Sequence, residues 1–277
     1  MKIISGTEIS QEIRKNLQEA NQRDGISPVL AIILVGDNKE DMIYVGLKEK
    51  AVKSIGGQAR LVCLPQNVTK PELIANIGSL NQDDTVDGIL LQLPLPQHLE
   101  KDVEEILSTI RPDKDVDGFS PINRGLLSGN SPSFASCAAL GCMEIINRIF
   151  PSLEGRKALL AGNSFDLIIP LGILLIKRGC RLTVIPDYDP CLIKGNDILV
   201  IEKGAARIAR GEDMEPGMLV IDAGFYWGAG GSCGNVDRKA VEGTDGYLLP
   251  VPGGLGPLLI TKLMENLITA ARRNRGL

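Results

Sequence analysis

The chain has 277 residues, with a hydrophobic share of 44%, a charged share of 23% and a net charge of −4. This is the profile of a soluble globular protein long enough for one large domain or two modest ones, and its acidic balance argues against a nucleic-acid binder. No apolar run reaches membrane-spanning length and the start, M-K-I-I-S-G-T, lacks a secretory hydrophobic region, so a cytoplasmic protein with no membrane partner is expected.

The six cysteines are scattered without a C-x-x-C pair, and the single histidine, His98, excludes histidine-rich metal sites and makes a Ser-His-Asp triad a poor fit. No metal is expected, and proton chemistry falls to Lys, Tyr, Asp or Glu.

In chain order, Ser5 or Thr7 can cap a helix carrying Ile9, Ile13 and Leu17 at four-residue spacing and closing near Gly25. Residues 28–36 form a continuous apolar run of strand length, as in a parallel strand covered on both faces. A helix follows within 37–57 and stops at Gly56-Gly57. Residues 59–64 read as a second strand, and 69–80 as a helix with Thr69 as cap and Pro71 in its first turn. Residues 87–96 are a third strand ended by Pro94 and Pro96, and 99–110 are helical. Strands alternate with helices, so a mainly parallel α/β sheet is predicted.

Within the second helix Tyr44 and Lys48 stand four residues apart, on one face. Ile43, Val45, Leu47 and Val52 are its apolar neighbours and are expected to bury one side and part of the lysine stem. A lysine that loses hydration in an apolar cleft becomes able to exchange protons near neutral pH. The alternative, on this stretch alone, is an amphipathic helix with Tyr44 packed and Lys48 solvated. Ligands of parallel sheets bind beyond the strands' carboxyl ends, so Gln92, at the exit of the third strand, can border the same crevice. The run R-P-D-K-D-V-D-G-F at 111–119 is turn-rich, reads as a solvated turn or a calcium-like site, and lacks the later glutamate of a calcium loop.

Four strings occur in order: Tyr44-x-x-x-Lys48, D-G-I-L-L-Q-L-P-L-P at 87–96, P-D-K-D-V-D-G at 112–118, and P-V-P-G-G-L-G-P at 250–257. Together they resemble the bifunctional methylenetetrahydrofolate dehydrogenase/methenyltetrahydrofolate cyclohydrolase family over nearly the whole chain. The resemblance implies tetrahydrofolate derivatives as substrates. Lys48 would be the acid/base group that opens the methenyl ring, and Tyr44 would pack on the pterin. Gln92 would hydrogen-bond and tune Lys48, Asp117 would accept bonds from the pterin amino edge, and Pro252, Gly253 and Gly254 would form the loop against the folate. A homodimer through the second lobe is also implied.

The second lobe departs from the pattern. The family has roughly G-R-S-x-x-V-G-x-P where this chain has G-N-S-F-D-L-I-I-P at 162–170, in a strand-turn-helix whose helix should begin at Asn163-Ser164. Gly162 and Ser164 match; Asn163 does not, and Ile168 replaces a glycine that lets backbone approach a dinucleotide. Asp187 follows the next strand where the family grips the 2′-phosphate of NADP; it either favours a ribose 2′-hydroxyl or caps a turn between Pro186 and Pro190. Glu202-Lys-Gly stands in place of a small-x-Gly turn, and S-C-A-A at 136–139 in place of P-C-T-P. Ile221-Asp-Ala-Gly keeps the family pattern, with Phe225 on the nicotinamide side, and 228–234 read as a hairpin.

The expected fold is therefore α/β, with two α/β lobes flanking a cleft. Residues 1–118 plus 257–277 would make the folate-binding lobe and 119–256 a Rossmann-like, doubly wound NAD(P)-binding lobe. Cyclohydrolase activity has all its residues. Dehydrogenase activity with NADP or NAD rests on the general resemblance, with the 2′-phosphate site lost. Two rivals remain: a non-catalytic folate-binding paralogue, and a dehydrogenase of another small substrate, the latter opposed by the incomplete G-x-G-x-x-G.

Overall fold

A computed structural model describes residues 1–129, 134–228 and 231–277. In chain order these form β1 (Lys2–Ile3), α1 (Gly6–Asp24), β2 (Val29–Val35), α2 (Lys39–Ser54), β3 (Gln58–Leu64), α3 (Lys70–Gln82), β4 (Gly88–Leu91), α4 (Val103–Ser108), α5 (Pro121–Ser128) and α6 (Cys137–Ile149). They continue with β5 (Lys157–Ala161), α7 (Ile168–Lys177), β6 (Arg181–Ile185), β7 (Ile198–Ile201), β8 (Leu219–Asp222), β9 (Tyr226–Gly228), β10 (Gly231–Cys233), β11 (Tyr247–Leu249) and α8 (Leu255–Asn274). No helix among the described residues is long and apolar enough to cross a membrane.

The chain divides into two compact units, one of Met1–Ser10 with Ala138–Leu259 and one of Gln11–Cys137 with Ile260–Leu277. The second carries a three-stranded parallel sheet in the order β3-β2-β4. The apolar run of β2 is central and covered on both faces. Ala31, Ile33 and Val35 pack with Leu73 and Ile77 of α3 and Ile106 and Leu107 of α4, and Leu30, Ile32 and Leu34 are buried as well. Helix α3 starts where its capping chemistry dictates: the Thr69 hydroxyl accepts the Glu72 N–H, and the Glu72 carboxylate accepts the Thr69 N–H at 2.8 Å. Two expectations are corrected. The third strand stops at Leu91, because Pro94 and Pro96 cannot donate to a ladder, and 97–102 form a 3-10 turn before the short α4.

The carboxyl-terminal part of α8 belongs to this unit. Arg275 donates to the buried Asp87 at 2.7 Å, and Asp87 also accepts the Val29 N–H at 2.8 Å, fastening the helix to the start of the central strand. Asn266 donates to the carbonyl of Val116 at 2.8 Å.

The other unit is built on a six-stranded, wholly parallel sheet, β1-β11-β8-β7-β5-β6. Strand β1 pairs with β11, which is why the first residues join this unit. From β5 the chain passes through α7 to β6 on one flank, then returns to β7 on the other, so the sheet has a switch point between β5 and β7. The helix expected from Asn163 begins only at Ile168. The Ser164 hydroxyl accepts the N–H groups of Leu167 and Ile168, both at 3.2 Å, and holds the intervening residues as a turn. Strands β9 and β10 pair antiparallel as the hairpin expected at 228–234, whose tip, Ala229-Gly230, lies outside the described residues.

Candidate active site

Helix α2 is started by Asn38, whose side chain accepts the Glu40 N–H at 3.0 Å, with Glu40 and Asp41 in the first turn and Lys53 in the last, matching the helix dipole. Its buried residues are Asp41, Val45, Ala51 and Val52, with Lys48 half-buried among them. The expected burial of Ile43 and Leu47 is corrected: they are 64% and 43% exposed, and Tyr44 is 44% exposed. Spacing explains this. Positions 41, 45, 48 and 52 follow the helical period that faces the sheet, and 43 and 47 fall outside it.

Lys48 Nζ donates to Gln92 Oε1 at 2.9 Å. Gln92 is placed by the sheet, because its backbone N–H extends the β4 ladder by donating to Ile33 at 2.9 Å. Its side-chain Nε2 donates to the Leu93 carbonyl at 2.7 Å and also hydrogen-bonds the carboxylate of Asp41. Burial raises the Asp41 carboxyl above the ordinary carboxylate range, as does the charge of Glu40; Gln92 and Lys48 pull it back. The unit thus holds a chain of contacts from ammonium to amide to carboxylate. Asp41 was not singled out from sequence. The available signal was its place seven residues before Lys48, two turns back on the same face.

The 111–120 segment is not a solvated turn. Lys114, Asp115 and Asp117 are all buried. Lys114 Nζ donates to the carbonyls of Leu80 and Asp83 at 3.1 and 2.8 Å. Asp115 accepts from the N–H groups of Phe119 and Ser120 and the side-chain amide of Asn123 at 3.1, 2.9 and 2.8 Å. Burial pushes its carboxyl up to about 6, against the pull of those bonds. The segment docks beside β4 through the Ile89 N–H, which donates to Lys114 at 2.7 Å. At Gly118, φ is +73° and a side chain would strike the Ala135 backbone, so only glycine follows Asp117 comfortably.

Asp117 hydrogen-bonds the thiol of the fully buried Cys137. Burial and the Asp117 charge push that thiol well up, and the Lys48 charge acts on it in the opposite sense. Lys48, Gln92, Asp41, Asp117 and Cys137 therefore belong to one electrostatic neighbourhood. Tyr44 shares the helix at its edge. Among the described residues no group of three or more His, Cys, Asp or Glu side chains is gathered to hold a metal.

Pro252, Gly253 and Gly254 lie in the other unit, in the turn between β11 and α8. Gly253, at φ +87°, accepts the Thr7 N–H at 3.1 Å, so this turn is tied to the start of α1. The same unit holds every residue assigned to a cofactor. Gly162 follows β5, with Asn163 and Ser164 after it. Ile168, expected to stand in a ligand-approach position, is instead fully buried in the core beside Ala158, Leu160 and Leu171. Asp187 lies two positions beyond β6 and accepts its neighbour Tyr188's N–H at 2.7 Å, while the turn that follows is capped by Asp189, which accepts the Cys191 N–H at 2.9 Å. Phe225 is half-exposed and meets Trp227 edge-on, with centroids 5.6 Å apart. Asp222, in the retained I-D-x-G string, is an anchor for the hairpin: it accepts the N–H groups of Gly224, Asn235 and Val236 at 3.2, 2.9 and 2.9 Å.

One α/β unit carrying a lysine–glutamine–carboxylate cluster, with another built on a Rossmann-like sheet, defines a two-domain enzyme that combines acid–base chemistry with a nucleotide-binding domain. Comparison with known proteins gives the family. Residues 4–117 match the tetrahydrofolate dehydrogenase/cyclohydrolase catalytic domain, and residues 136–275 match the NAD(P)-binding domain of the same family. The chain is 63% identical over 277 residues to the bifunctional protein FolD 1 of Syntrophomonas wolfei, covering 99% of this chain and 100% of that one. It superposes on the crystal structure of the FolD methylenetetrahydrofolate dehydrogenase/cyclohydrolase of Campylobacter jejuni with a TM-score of 0.93 at 36% identity, covering 99% of both chains. The Trypanosoma brucei enzyme, complexed with NADP and an inhibitor, aligns with a TM-score of 0.90 at 30% identity, covering 99% of this chain and 98% of that one. The chain belongs to the tetrahydrofolate dehydrogenase/cyclohydrolase family.

Proposed function

We propose that this enzyme hydrolyses methenyltetrahydrofolate to 10-formyltetrahydrofolate with Lys48 as its acid/base group. The observation that carries the reading is the 2.9 Å bond between Lys48 Nζ and Gln92 Oε1, which aims a half-buried amine from a helix at the end of a parallel strand. The substrate is a formamidine-like cation. Lys48, as the amine, takes a proton while water adds to the one-carbon centre. It returns that proton to the ring nitrogen as the carbon–nitrogen bond breaks, and the hydroxyl proton leaves to solvent as the formyl group forms. Gln92 orients the amine, Asp117 accepts from the pterin amino edge, and Tyr44 offers its ring to the pterin face. The family resemblance extends the reading to a cytoplasmic homodimer.

Asp41 acts through Gln92 as a positioning residue. Asp41→Asn should lower the hydrolysis rate by about tenfold, the equivalent of one charged hydrogen bond, and move the acidic limb of the pH–rate profile. A wild-type profile in the variant would remove Asp41 from the mechanism.

For the dehydrogenase half, a carboxylate just past β6 opposes a 2′-phosphate whichever hydrogen bond it makes. NAD is therefore expected to support methylenetetrahydrofolate oxidation at least as well as NADP. Steady-state kinetics with each nucleotide test this, and a strong NADP preference would sink it.

A further inference from the structure

We propose that Glu202 sets how tightly the six-stranded unit holds a dinucleotide, by placing its own carboxylate where a phosphate oxygen would otherwise be bound. Strands β5 and β7 are neighbours on either side of the switch point, and the crevice beyond their carboxyl ends is where doubly wound sheets take their ligands. Gly162 is the first residue after β5 and Glu202 the first after β7, so both open directly onto that crevice.

The turn after β5 has the shape that brings backbone close to an anion. Gly162 stands at φ +148°, the Ser164 hydroxyl is engaged by the N–H groups of Leu167 and Ile168, and Ser164's own N–H is used by neither. That N–H donates to Glu202 Oε2 at 3.4 Å. A side chain at position 162 would run into the same carboxylate, so Glu202 lies directly over the turn. Next to it the Lys203 ammonium is bonded to the side-chain oxygen of Asn163. The resemblance leads one to expect a small residue at 202, which would leave this space open. As the residues stand they do not fit a pyrophosphate: the N–H available to it points at an internal acid, and an incoming diphosphate meets like charge. The carboxylate has to leave before the nucleotide enters.

The inference rests on the family's assignment of this unit to NAD(P) and is independent of the Lys48 chemistry. The test is calorimetric titration of the full chain with NAD and with NADP, at one fixed salt concentration, for the wild type, Glu202→Ala and Glu202→Gln. Glu202→Ala is expected to bind both nucleotides at least about tenfold more tightly than the wild type. The gain should be equal for the two, since the pyrophosphate is common to both, whereas discrimination at Asp187 shows only in their ratio. Glu202→Gln keeps the shape and an acceptor without the charge. It is expected to gain several-fold, and it carries the test if the alanine variant does not fold. Binding that is unchanged or weaker in the variants, or no binding by any of the three proteins at millimolar nucleotide, overturns the proposal.

Discussion

Lys48→Ala is expected to lower the nucleotide-independent hydrolysis of methenyltetrahydrofolate by about 10²–10⁴-fold, the range over which a positioned acid/base group contributes. The loss should fall on the rate constant, because Tyr44, Gln92 and Asp117 would still receive the folate. The fold should persist: the side chain is half-buried and its bond is to Gln92, which keeps its contacts to Leu93 and Asp41. Lys48→Arg separates charge from proton transfer, since a guanidinium stays protonated at any pH where the protein is folded. If Lys48 is the acid/base group, arginine should fail nearly as badly as alanine. An arginine variant with wild-type turnover, followed by loss of methenyltetrahydrofolate absorbance, would reduce Lys48 to a charge that holds the substrate. An alanine variant with wild-type turnover would favour the non-catalytic rival for this cluster.

Asp115→Ala should destabilise the protein by about 3 kcal/mol or more, since it orphans two buried donors and one part-buried one, each costing roughly 1–3 kcal/mol. The donors are the N–H groups of Phe119 and Ser120 and the amide of Asn123, and together they hold the segment that presents Asp117. A weakened KM for folate should accompany the loss of stability. Asp115→Asn isolates the titration. With its carboxyl pushed up to about 6 by burial, Asp115 binds a proton more readily in the folded chain than in the unfolded one, where a carboxyl titrates near about 3.9. The stabilisation from that proton is complete below about pH 4 and is lost as pH rises through about 6. The unfolding free energy of the wild type, from urea titration, should therefore fall relative to that of Asp115→Asn between about pH 4 and 7, by up to about 3 kcal/mol. A constant difference across that window would show that Asp115 is ionised in the fold throughout, its hydrogen bonds outweighing burial.

Much of the architecture was legible because it is local. The seven-residue apolar run of β2, the Thr69–Glu72 capping box and the Pro94 and Pro96 stop each act within a few residues, and each appears in the fold, with only the strand end and the 97–102 turn shifted. Tyr44 and Lys48 share a helix for the same reason. The burial of Ile43 and Leu47 was misjudged because hydrophobicity alone does not say which face of a helix meets the sheet. Asp41, a charged residue, took a buried position while both isoleucine and leucine stayed outside.

By itself, then, the sequence determined the alternation of strands and helices, the order of the four folate-family strings, and the pairing of Tyr44 with Lys48, since these depend on residue type and short spacing. Only the tertiary structure decided three things: that Asp41 reaches Gln92, that Asp115 is buried as the clasp of the Asp117 segment, and that Glu202 lies over the Gly162–Ser164 turn. The contacts involved join residues distant in the chain, 38 apart in the case of Ser164 and Glu202. Such pairs are set by strand order and by which strand ends meet at a switch point, and neither is encoded in the periodicity of any one segment.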